Sequence, residues 1–409
     1  MNAEIKLKHP AGFFPLIASK LIERLGFYGI RAFLILYMVR GPFMFSREEV
    51  GPVYDLFIGA LAVSPLLGGL LGDFIMGWKW SSVTGGCLQA AGCFLMAVPQ
   101  IGCMYAGMAC MVLGTGLYTP NIISVIGNLY RDRQQKMDAA MMLFYLAIDL
   151  GAFLGAVVFG FLVDITSFSI GFITAGAVLL CSSLLALLTR NTAVENPVMH
   201  NEPEQEGGNR KLKLAALACC VVLIPVFWVV MRMGPDAGML LSQGRQLEGS
   251  LYTGLPSFVA MICAIIFSIV WAFKTGSTLL RISIGLLIYA LSLSLVFVGA
   301  SADNLTVALI LALLLQGVSE ILISPLALSY ISQHAPSKYR STLTSVFLSM
   351  SGLLSWSPVF AFNGDDGTAS LCFITTALLL AAAFLAFHLL LRRTSSTAPE
   401  PGKDHNEAL

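Results

Sequence analysis

Long apolar runs recur along this chain: about 12–38, 50–77, 80–98, 101–130, 138–163, 167–189, 211–237, 250–273, 279–300, 304–333, 341–363 and 367–391. Each is long enough, as a helix, to cross a hydrocarbon core of about 30 Å. Hydrophobic residues make up 57% of the sequence and charged ones only 11%, against roughly 25% charged in soluble domains. A soluble globule is thereby excluded. Backbone polar groups in lipid must be satisfied within the segment itself, which makes runs of this length helices. The sequence therefore predicts an all-α membrane protein with twelve transmembrane helices.

Basic residues set the orientation. With the N-terminus inside, seventeen of the 24 lysines and arginines fall in cytoplasmic segments, three fall outside (Arg40, Arg47, Arg245) and four lie within helices. This asymmetry puts both termini in the cytoplasm. Between the sixth and seventh runs the composition turns polar and rich in Pro and Gly. The expected organisation is an N-terminal six-helix bundle over 1–189, a cytoplasmic linker over 190–210, a C-terminal six-helix bundle over 211–392 and a disordered tail over 393–409. The first ten residues are polar, and no cleavable signal is expected. The nine cysteines lie in apolar stretches without CxxC spacing and read as packing residues. The five histidines show no metal-ligand spacing, so no metal, no cofactor and no enzymatic activity are expected. No ATP-binding loop and no basic patch interleaved with aromatics is present, so nucleic acid is not an expected partner.

The first run carries Lys20, Glu23, Arg24 and Arg31 at membrane depth. At 100° per residue Lys20, Arg24, Phe27 and Arg31 share one helix face, flanked by Glu23 and Tyr28. Charges at that depth face a bundle interior or a water-filled path and mark a route for solute or ions. Read by itself, the Glu23–Arg24 pair could equally be a static staple of this helix, and Arg31 could snorkel to the outer surface. Asp55 and Asp236 lie near outer helix ends, where solvated termini are the plainer reading.

Six helices, a cytoplasmic linker and six more is an arrangement that resembles the major facilitator superfamily. Gly68 to Lys79 reads GGLLGDFIMGWK and is similar to that superfamily's GxLaDrxxGrk gating loop, with Phe74 and Trp78 where basic residues are usual. The resemblance implies gating roles for Asp73, Gly69 and Gly77. Further segments resemble one family within it, the proton-dependent oligopeptide transporters. The opening stretch is similar to ExxERFxYYGxRa, Gly114–Asn121 to GxGlfKPN, Phe144–Gly151 to FYxxINxG, Val226–Arg232 to FWxxxEQ and Ser319–Pro325 to sEllxsPxg. The match is collinear over most of the chain. By that resemblance, Arg24, Tyr28, Arg31, Asn121, Tyr145, Trp228, Arg232, Glu320, Ser324 and Trp356 are expected to bind solute. Lys20, Glu23, Asp149 and Glu320 are expected in proton coupling or ion pairing.

The departures fall on charged positions. Lys20 stands where the family has Glu, Thr119 where it has Lys, Asp149 where it has Asn, Arg232 where it has Glu, and Phe27 where it has Tyr. Lys20, Glu23, Arg24, Arg31, Asp149, Arg232 and Glu320 sum to +1, where the family pattern sums to −1. In a low-dielectric cavity this shift favours a more anionic solute. Two arrangements remain open: coupling reduced to Glu23, Asp149 and Glu320, or swapped ion pairs Lys20–Asp149 and Arg232–Glu320. The expected function is a monomeric secondary active transporter of a bacterial inner membrane. It would work by alternating access on small peptides or peptide-like solutes, including carboxylate-rich ones, with protons as coupling ion. The alternatives are a carrier of an anionic metabolite such as a citrate-based metal chelator, without peptide recognition, and a transport-dead receptor.

Overall fold

A computed structural model describes residues 9–189, 210–241, 249–274, 276–300, 305–356 and 366–396. Every long element among them is a helix: α1 (Phe13–Arg40), α2 (Arg47–Leu71), α3 (Trp78–Met96), α4 (Ile101–Leu129), α5 (Met137–Ile165), α6 (Phe168–Leu188), α7 (Arg210–Leu241), α8 (Gly249–Phe273), α9 (Thr278–Ala300), α10 (Leu305–His334), α11 (Arg340–Trp356) and α12 (Asp366–Ser396). These are the twelve helices expected, with ends within a few residues except at α2, α7, α11 and α12. Eight of them are long and apolar enough to cross a membrane by composition alone. Charges at Lys20, Glu23, Arg24 and Arg31 make α1 too polar to be recognised that way, although its 28 residues span the distance. The linker 190–209 and the tail beyond 396 lie outside the described residues.

Local sequence fixes several helix ends. Ser46 and Glu49 form a reciprocal capping box at the start of α2, and Ser167 accepts from Ile170 N at the start of α6. Between α2 and α3 the chain widens into a short π-helix over Gly72–Met76 and then reverses at Gly77, whose φ of 76° favours glycine.

The packing repeats. In the first half α1 packs on α5 and α6, α3 on α4 and α6, and α2 on α4. In the second half α7 packs on α11 and α12, α9 on α10 and α12, and α8 on α10. Adding six to each helix number converts one set into the other. The halves meet through α2 with α11, α5 with α8 and α10, and α4 with α10 and α11, a set that maps onto itself when the halves are exchanged. Two six-helix bundles thus face each other across a pseudo-two-fold axis, as in transporters built from repeats.

The larger apolar core crosses that interface. It joins Tyr118, Ile122 and Phe144 of the first half to Phe227, Tyr289 and Leu326 of the second. A second core, containing Phe33, Tyr37, Met96, Met108 and Phe172, belongs to the first half alone. Close seating of α5 on α1 needs Gly151 and Gly155, because a Cβ at Gly151 would meet Leu21 O at 2.5 Å and Arg24 Cβ at 2.8 Å.

Candidate solute site and gate

Four helices carry the central polar residues to similar depth. At 1.5 Å per residue, Arg24 on α1, Thr119 on α4, Asp149 on α5 and Glu320 on α10 stand about 15–21 Å from the helix ends nearest Phe13, Leu129, Met137 and His334. That is the middle of a hydrocarbon core.

On α1 one carboxylate serves two cations. Glu23 Oε2 lies 3.0 Å from Lys20 Nζ and 3.1 Å from Arg24 Nε. Lys20 and Glu23 are fully buried. Both cations also donate to Thr119 Oγ1 on α4, Lys20 at 3.1 Å and Arg24 at 2.7 Å. The ammonium of Lys20 stands 5.1 Å from the centre of the Tyr118 ring and 5.7 Å from that of Phe144. The predicted Lys20–Asp149 pair is therefore not formed. Glu23 is nearer in sequence, on the same face, and takes the ammonium instead.

Arg31 stands farther along α1, half-buried. Its guanidinium lies 6.0 Å from the Phe27 ring centre and 5.4 Å from that of Tyr28, and donates to Tyr54 Oη at 3.4 Å. Arg24 lies 5.2 Å from the same Phe27 ring, which thus separates two cations along one stripe. No carboxylate pairs with Arg31 among the described residues.

Two further carboxylates stand on α5 and α10. Asp149 on α5 and Glu320 on α10 come from opposite halves, and Tyr145 is close enough to interact with both and with Ser324 and Tyr28. Asp149, Glu320 and Tyr145 keep partial exposure at mid-depth, so they line internal space and are not sealed by packing. No cation pairs with either carboxylate among the described side chains. Trp228 is half-buried on α7, its ring 6.2 Å from that of Phe227. The side chains of Arg232, Asp236 and Trp356 lie outside the described residues, and so does the predicted Arg232–Glu320 pair. Asp55 is exposed.

Asn121 sits apart from this group. Its amide donates to Gly68 O and Leu117 O at 2.8 Å each, and accepts from Ser341 Oγ at 2.8 Å. These bonds join α4 to α2 and to α11 of the other half, beside Asp73. Asp73 is buried and accepts four bonds: Trp78 Nε1 at 2.7 Å, Ser341 N at 3.1 Å, and Thr342 N and Oγ1 at 2.7 Å each. A first-half carboxylate thus caps the N-terminus of α11, where free N–H groups and the helix dipole favour negative charge. Gly69 lets α2 approach α11 closely, since a Cβ there would strike Ser345 Oγ. Phe74 and Tyr339 meet edge to face above it at 5.9 Å, and Arg340 lies 5.5 Å from the Trp78 ring centre. The two halves are closed against each other at this face.

A second cross-half cluster at the same face has no counterpart in the sequence expectations. Asp138, in the first turn of α5, is buried among donors from α9 and α10. Its signal was an acidic residue at the edge of an apolar run. The cationic run Arg131–Lys136 just before it reads as a solvated loop and masks that signal.

A family model described as Major Facilitator Superfamily matches residues 16–358. The chain belongs to this superfamily. Within it, the chain is 25% identical to the uncharacterized transporter YclF of Bacillus subtilis over 83% of this chain and 85% of that one. It is 31% identical to the peptide transporter YePEPT of Yersinia enterocolitica, over 43% of this chain and 36% of that protein. It is 26% identical to dipeptide and tripeptide permease B of Salmonella typhimurium, over 55% of this chain and 46% of that one. The chain thus matches less than half the length of these two peptide carriers. A solved POT family transporter in complex with 5-aminolevulinic acid shares the fold, with a TM-score of 0.64 at 19% identity over 94% of this chain and 97% of that one. Two of these relatives are named as peptide carriers, the family that the motifs resemble.

Proposed function

We propose that this superfamily member is a secondary transporter of small peptides or peptide-like solutes, working by alternating access. The observation that carries the reading is the polarity of the central site. Arg24 and Arg31 present cations from α1, with the buried Lys20 behind Arg24 on the same Glu23, while Asp149 and Glu320 present carboxylates without a described cation partner from α5 and α10. A zwitterion would be held by both, its carboxylate toward α1 and its amine toward α10. Two cations sharing Glu23, together with Arg31, leave an excess of positive charge, which favours solutes carrying an additional carboxylate. Tyr28, Tyr145, Trp228 and Ser324 would line the path, with Asn121 assigned to the gate.

Protons are the proposed coupling ion. Glu23 is held by two cations and is a poor candidate for reversible protonation, since losing its charge would strand both. Asp149 and Glu320 must be neutralised by an ammonium or a proton whenever the site closes, and they are the proposed coupling groups. The gate holding Asp73 would then lie at the cytoplasmic face, with both termini on that side of an inner membrane.

Proteoliposomes containing the protein and loaded with unlabelled dialanine should accumulate labelled dialanine by counterflow, and a pH gradient with the outside acid should drive net uptake. An acidic dipeptide should compete better than its neutral analogue. Absence of exchange for every peptide tried, with or without the gradient, would remove the peptide reading. Exchange of citrate alone would replace it with carriage of an anionic metabolite.

A further inference from the structure

Asp138 is bound almost entirely by the other half of the molecule. Ser329 Oγ on α10 donates to its Oδ1 at 2.5 Å, and Gln333 Nε2 reaches the same oxygen at 3.4 Å while bonding Ser329 Oγ at 2.8 Å. Thr278 Oγ1, from the first residue of α9, lies 3.1 Å from both carboxylate oxygens. Arg281 Nη1 forms an ion pair with Oδ2. That guanidinium is in turn fixed by Lys274 O at 3.1 Å and by the Trp271 ring, 4.4 Å away at the end of α8. Asp138 is 4% exposed and Ser329 is fully buried, so these bonds are shielded from water and are stronger for it.

The position of this cluster follows from the repeat. Exchanging the halves converts α2, α3 and α11 into α8, α9 and α5. Asp73, between α2 and α3, caps the start of α11. Asp138 sits at the start of α5 and is bound from the start of α9. The two clusters occupy equivalent places on either side of the axis, with donor and acceptor exchanged. In one the loop side carries the carboxylate and the helix start supplies N–H groups; in the other the helix start carries the carboxylate and the loop side supplies a hydroxyl and a guanidinium.

We propose that Asp138, with Thr278, Arg281 and Ser329, is a second latch that holds this face shut together with Asp73, and that the face opens only when both release. The proposal rests on the alternating-access reading but not on any particular solute. Opening one side alone would tilt the halves about the remaining cluster, so both latches act on one closed state. Removing either should shift the same equilibrium, and removing both should multiply the two shifts.

Hydrogen–deuterium exchange of the full-length protein in lipid nanodiscs, without solute, tests this. The variants are Asp73→Asn, Asp138→Asn, Ser329→Ala and the double Asp73→Asn/Asp138→Asn. Asp138→Asn should raise exchange at the first turns of both α5 and α11 by roughly tenfold, the size expected for a lost charged hydrogen bond. Ser329→Ala, which strands no charge, should raise it less at the same two places, and the double variant should show about the product of the single effects. Should Asp138→Asn fail to fold, Ser329→Ala carries the test alone. Increased exchange confined to α5, with α11 unchanged, would make Asp138 a local staple and overturn the second latch. A failed peptide counterflow assay would leave this result standing.

Discussion

Glu23 is one carboxylate between two cations, and its three residues 20, 23 and 24 occupy a single face of one helix. Replacing Glu23 by Gln removes the one carboxylate that pairs with Lys20 and Arg24 among the described residues, in a buried setting. The expected cost is about 3–5 kcal/mol, typical of a buried pair broken by loss of one partner. Replacing Lys20 by Gln leaves Glu23 with Arg24, a balanced pair, and keeps a donor toward Thr119. It should cost far less than the Glu23 change. Thermal unfolding of the two variants in the same detergent checks the order, and equal destabilisation would contradict the shared-carboxylate geometry. The sequence made the stripe legible because helical periodicity alone places Lys20, Arg24, Phe27 and Arg31 together. It offered Asp149 as a partner for Lys20 and Arg24 as the partner of Glu23, and missed that one carboxylate takes both cations. An i,i+3 contact on one helix forms whatever the neighbouring helices do, whereas the distance from α1 to Asp149 depends on packing.

Elements were legible for a different reason. Apolar length marks a spanning helix independently of tertiary contacts, which is why eleven helix starts fall within two residues of the expected ones and only α2 begins three residues earlier, at its Ser46 cap. Packing between elements was not legible, except where small residues advertise it. Gly151 and Gly155 are four apart on α5, and α1 lies directly on them. A Cβ at Gly155 would meet Leu25 O at 2.4 Å only if the backbones did not part, so any side chain there separates the helices. Gly155→Val should lower stability by about 1–3 kcal/mol, in the range of overpacked interiors, and should weaken solute binding because Asp149 moves with α5. Gly160, where an added Cβ has open space, provides the control on the same helix: Gly160→Ala should be close to neutral. Melting temperatures and solute-induced shifts for the two variants separate a helix-seating effect from general intolerance of substitution in α5.

At the scale of the whole molecule, closure at one face is the state this structure presents, and alternating access requires that it be temporary. Asp73 is joined to α11 by backbone and hydroxyl donors, and Asn121 to Ser341, across the same interface. All of these can be traded for water without leaving a buried ion. The aromatic contact between Phe74 and Tyr339 lies over this seam, and both rings remain partly exposed, at 49% and 42%. It is therefore a place where the halves can be tied from outside without disturbing the latch beneath. Cysteines at both positions, joined by a short bifunctional thiol reagent, should stop counterflow while leaving solute binding measurable by thermal shift, since the proposed solute site lies at mid-depth and away from this seam. A cleavable linker should restore transport on reduction. Each single cysteine treated identically accounts for the native thiols, of which Cys87, Cys181 and Cys372 are exposed. Transport that continues through an intact crosslink would mean that this face does not part during the cycle, and the pseudo-two-fold rocking of the halves would have to be replaced by movement of helices within one half.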